Sequence, residues 1–153
     1  MKLTRIFETS NNDNLFFGYY DVPQLSKNNK YIICQKIKNI HELPKSPESY
    51  EIFLYDITNN KSEKIGTTRT LNFQQGSRAQ WLGPDHKSKI IFNDCVNNSY
   101  VSKIYDLNTK ETKIIPLPIF SVSVDGKYII SADYERLYWC RKVYSYDVIK
   151  NQD

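Results

Sequence analysis

No apolar run in these 153 residues approaches the roughly 18 residues of a membrane span. The opening MKLTRIFETSNNDN lacks the continuous apolar core of a secretion signal. The expectation is a cytoplasmic protein with no membrane partner. Like charges never gather in runs: 21 Lys and Arg are scattered among 17 Asp and Glu, so the net charge of +4 is background rather than a nucleic-acid arm. Lysines and aromatics interleave in KYIICQKIKN, but alternation in a buried strand accounts for them, and no nucleic-acid partner is expected. Cysteine is scarce. Cys34, Cys95 and Cys140 are odd in number, sit in or beside apolar runs and show no CxxC spacing, which points to buried free thiols. The only histidines, His41 in HELPKSPES and His86 in GPDHKS, have no partner at ligand spacing, so no metal and no cofactor is expected. Glycine-rich phosphate loops, a GxSxG elbow and an ordered Ser, His and Asp set are also missing.

What the chain does contain is repetition. YDITNNKSEKI at 55–65 returns as YDLNTKETKII at 105–115 and in part as YDVIKNQD at 146–153. Before each copy stands a polar turn and a β-branched run: LSKNNKYIICQ at 25–35, LGPDHKSKIIFND at 82–94 and VSVDGKYIISAD at 122–133. Repeats of 40 to 50 residues imply a supersecondary unit that stacks on its neighbours. The apolar runs are short and rich in Ile, Val, Tyr and Phe, which is the signature of strands. YEIFLYDI is apolar on both of its alternating faces, as a strand covered on two sides should be. The expected fold is all-β: a β-propeller segment of about two and a half to three four-stranded antiparallel blades, over residues 22–66, 79–116 and 119–153. Strands are expected over 31–36, 50–56, 89–93, 100–106 and 127–132, with no helix longer than two turns. Propellers close with about four to eight blades. This segment is therefore expected to be incomplete, to expose apolar surface between blades, and to need further blades or self-association.

FFGYYD (16–21), NFQQGSRAQWL (72–82), KIIFND (89–94) and PLPIFSVSVDGKYIISADYERL (116–137), taken in that order, resemble an uncharacterised bacterial β-propeller family. That family is distantly similar to oligogalacturonate lyase and to TolB-like (WD40-like) propellers. The resemblance covers nearly the whole chain and implies a link with polysaccharide metabolism. Lyases of the broader class carry metal-binding histidines in later blades, so the resemblance brings no catalytic residue to this segment. Three functions follow as expectations. The first is a non-catalytic propeller portion that binds carbohydrate or supports a polysaccharide-biosynthesis assembly. The others are a fragment of a carbohydrate-active enzyme with its catalytic residues elsewhere, and a protein-interaction scaffold.

The candidate ligand-binding residues lie in loops that precede first strands, where rigid blades position side chains on one face. Gly18 permits a tight turn, and Tyr19, Tyr20 and Asp21 could stack on and hydrogen-bond a ligand, or pack between blades. Gln74, Gln75 and Arg78 crowd before Gln80 and Trp81, a mixture that suits hydroxyl-rich sugars or a uronate. The same amides could instead satisfy the backbone of a crowded loop, with Trp81 as core. Arg136 either joins this group or pairs with Asp133 or Glu135. Asp21 is expected within reach of Arg78 or Arg136. The Tyr-Asp pairs at 55, 105 and 146 read as turn caps.

Overall fold

The computed structural model describes residues 3, 5, 8 and 14–149, and strands dominate them. The first four-stranded antiparallel sheet pairs β1 (Asn14–Phe16), β2 (Tyr31–Ile37), β3 (Tyr50–Asp56) and β4 (Lys61–Thr68) in chain order. The second repeats that order with β5 (Gln80–Leu82), β6 (Lys89–Val96), β7 (Ser99–Asp106) and β8 (Thr112–Ile115). A two-stranded ribbon of β9 (Ser121–Val122) and β10 (Ile129–Ile130) follows, then α1 (Tyr134–Cys140) and a 3-10 turn at Lys142–Tyr144. The chain is thus mostly β, in three antiparallel sheets, and the described residues form no closed barrel. No helix among them is long and apolar enough to cross a membrane.

The hairpins form where the sequence supplies their turns. Asp56 accepts the Thr58 and Asn59 amides at 2.9 and 3.0 Å, and Asn60 takes the left-handed conformation that closes the β3–β4 turn. Asp106 does the same for Asn108 and Thr109 between β7 and β8, with Lys110 left-handed. Two of the three Tyr-Asp pairs are therefore turn caps. In the third, Asp147 accepts the Tyr138 hydroxyl at 2.9 Å.

Alternation in β2 and β3 puts Ile33, Ile52 and Leu54 on one face. They meet Trp81, Ile90, Phe92 and Tyr105 of the second sheet in the largest buried cluster, so the two sheets stack face to face. Burying a side chain of this size contributes about 1.5–3 kcal/mol. The other face of the second sheet gives Leu82 and Ile91 to Ile119 and Val122 of the third unit. Each unit thus buries one face on the next.

Three expectations are corrected. The strand expected over 127–132 is confined to Ile129–Ile130, and Ile130 is 66% exposed. Among the described residues the ribbon has no third strand to pair with it. Instead, Asp133 caps α1 through the Arg136 amide, and Tyr134 is drawn into a cluster with Cys95, Tyr100 and Tyr146. The first unit's inner edge begins earlier than residue 22, at β1, and resumes where the Gln24 carbonyl accepts the Ile33 amide at 3.0 Å and Leu25 bridges Ile32. Cys34 and Cys95 are buried, burial pushing the Cys34 thiol up to about 12, but Cys140 is exposed at the end of α1.

Candidate functional site

Each sheet fastens the segment that enters the next. From β2, the buried Gln35 accepts the Ser77 amide and the Ser77 hydroxyl on Oε1, both at 2.7 Å. From β6, the buried Asn93 accepts the Ile119 amide at 2.7 Å and donates to the Ile119 carbonyl at 2.8 Å. An amide is well suited to this, since it carries both a donor and an acceptor and a buried one must use them. Gly76 lies so close to Gln35 that a Cβ there would collide with its amide, and its φ of +62° is itself one that favours glycine.

The loop NFQQGSRAQW is thereby drawn inward. Gln75 donates to the Tyr144 carbonyl at 2.6 Å, Gln80 to the Arg78 carbonyl at 3.0 Å, and the Trp81 indole to the Gln24 carbonyl at 2.9 Å, and all three are buried. Their amides and ring serve the loop and the core. Gln74 alone among the glutamines of this loop is exposed.

Arg78 is the exception to this inward packing in its chemistry, though not in its burial. Its side chain is 2% exposed, and its Nη1 and Nη2 donate to Asp21 at 3.1 to 3.4 Å. Its Nε donates to the Phe120 carbonyl at 2.8 Å, and the guanidinium lies 4.4 Å from the Phe120 ring centroid. The Asp21 side chain is 41% exposed. The pair therefore has its cation inside and its anion facing out. Asp21 lies against Arg78 as the stacking of the loops implied, whereas Arg136 is exposed on α1 and does not line this cleft.

The cleft beside Asp21 holds about 450 Å³ and is walled by residues 21–27, 78–86 and 121–124, the first-strand segments of all three units. At its rim the turns of successive units touch: the Lys27 amide donates to the His86 carbonyl at 3.0 Å, and His86 Nε2 lies 2.7 Å from the Val124 carbonyl. Gly83 and Gly126 meet there backbone to backbone, leaving no room for a Cβ on either. Just before Asp21 in the chain, the half-buried Tyr19 and the exposed Tyr20 form an aromatic pair, with ring centroids 4.2 Å apart and hydroxyls 3.2 Å apart. The Tyr20 hydroxyl pushes the Tyr19 phenol above its ordinary pKa. Tyr20 is 88% exposed, so it does not pack between units.

This arrangement can accept hydrogen bonds and offer a flat ring. No group of three or more His, Cys, Asp or Glu among the described residues is placed to hold a metal. Phe120 and the fastening role of Gln35 were not anticipated. Their signal was there for Gln35, as a lone amide ending the apolar run YIIC, but not for Phe120, which acts through its backbone carbonyl as well as its ring. No family model, curated protein or solved structure matches this chain.

Proposed function

We propose that this chain is a non-catalytic β-propeller segment that binds carbohydrate in the cleft beside Asp21. The sheets are read as blades because each buries a face on the next and because their first strands share one cleft, as they would share a propeller's channel. The observation that carries the binding reading is the half-exposed Asp21 carboxylate, fixed from behind by the buried fork of Arg78. A carboxylate held in this way accepts bonds from neighbouring hydroxyls without moving, and the exposed Tyr20 ring offers a surface for a sugar's apolar face. Arg78 already spends its donors on Asp21 and Phe120, so a uronate would have to displace Asp21. Neutral, hydroxyl-rich glycans suit the site better.

Calorimetric titration with a panel of neutral and uronate oligosaccharides tests this. Saturable binding of neutral members without turnover is expected, and Asp21→Asn should weaken it about tenfold, the loss of a charge-assisted hydrogen bond. No binding across the panel, or binding indifferent to Asp21→Asn, would sink the proposal. Release of unsaturated sugar products would replace it with the enzyme reading.

A further inference from the structure

A second and larger cleft, of about 660 Å³, lies between residues 42–45, residues 71–74 and the segment from Tyr138 to Asp147. We infer that it binds a small molecule with a flat apolar body and one anionic group. Its volume falls in the range of roughly 300–1,000 Å³ typical of small-molecule sites. Leu71 and Tyr138 are buried in its lining, and Phe73 is partly so. On the same lining, Leu43 and Val143 are 75% and 64% exposed. Single exposed apolar side chains need no explanation, but two that border one apolar concavity indicate a space whose filling would bury both.

The cleft is held open by bonds that do not depend on a ligand. The Ser46 amide donates to the Asp147 carbonyl at 3.2 Å, tying the 42–47 loop to the C-terminal segment. The Lys45 amide donates to the Tyr50 hydroxyl at 3.0 Å, and Asn72 Nδ2 donates to the Ser145 carbonyl at 2.6 Å. A preformed site loses little entropy on binding.

Four charged side chains line the cleft, Glu42, Lys45, Lys142 and Asp147, two of each sign. Lys45 is offset by Glu42 at 3.1 Å, and the Asp147 carboxylate is engaged by the Tyr138 hydroxyl at 2.9 Å. Lys142 places its ammonium 5.0 Å from the centroid of the Tyr138 ring. An anion can meet that ammonium while the body that carries it stays against the apolar lining, where a charge-assisted hydrogen bond is partly sheltered from water. With Leu43, Leu71, Phe73, Tyr138 and Val143 to cover, this ligand differs in kind from the hydroxyl-rich one proposed for the Asp21 cleft.

Anilinonaphthalene sulfonate, a flat apolar anion, is a direct probe. The full chain should bind it saturably, one probe per chain, with enhanced fluorescence. Lys142→Ala should weaken binding about tenfold. Val143→Glu, and independently Leu43→Glu on the other wall, should abolish it in proteins that melt with the parent. Ile130→Lys, on the exposed ribbon, should leave it unchanged. Unsaturable binding, binding indifferent to both wall substitutions, or binding lost only with Ile130→Lys would overturn the inference.

Discussion

At the scale of single residues, the buried guanidinium of Arg78 governs what substitutions cost. A buried charge is tolerated only when it is paired and its donors are used, and Arg78 meets both conditions through Asp21 and Phe120. Lysine keeps the charge but lacks the fork, so Arg78→Lys should destabilise by about 1–3 kcal/mol, measurable by urea unfolding. A loss within error of zero would mean that the charge alone matters. Gln35→Ala leaves the Ser77 amide without its acceptor and should also lower stability by about 1–3 kcal/mol. Gly76→Ala adds steric conflict with Gln35 to an unfavourable φ, and should cost at least about 1 kcal/mol by the same measurement.

At the scale of elements, the β7–β8 hairpin makes an acid-sensitive turn. The Asn108 amide, then that of Thr109, holds the Asp106 carboxyl below its ordinary pKa. The carboxylate's contribution is therefore complete above the ordinary carboxylate range and fades as pH falls through the lowered value, below about 4. Protection of the Asn108 and Thr109 amides against hydrogen exchange should drop on that acid side; protection that stays constant until the whole chain unfolds in acid would contradict it. Elements of this kind were legible because their causes are local. YEIFLYDI announced a two-sided strand, and β3 occupies Tyr50–Asp56. Tyr128-Ile129-Ile130 repeats the letters of Tyr31-Ile32-Ile33, yet Ile33 is wholly buried and Ile130 is exposed. A strand's burial depends on what stands beside it, which no window of sequence contains. In the same way, the meeting of Asp21 with Arg78 followed from loops lying side by side, while the inward turn of Gln75 depended on Tyr144, 69 positions away in the chain.

At the scale of the whole molecule, one end of the stack is left open. Val124, Tyr128 and Ile130 stand more than half exposed on or beside the ribbon, whose outer edge has no neighbouring strand among the described residues. Exposed edges with apolar side chains recruit further chains. Sedimentation should show association of the 153-residue chain rising with concentration, and Ile130→Lys should shift it toward monomer. A single monomeric species up to about 100 μM, where weak contacts of this class show themselves, would exclude this. The rim where Gly83 meets Gly126 has a different consequence. Because main chain rests on main chain there, the pitch between the second and third units is gauged by atoms that every sequence shares, and no choice of side chain can bring them closer. Any substitution at either glycine acts as a wedge beside His86 and Val124, which border the Asp21 cleft, so its effect would fall on the width of that cleft's mouth while leaving the Asp21–Arg78 pair untouched.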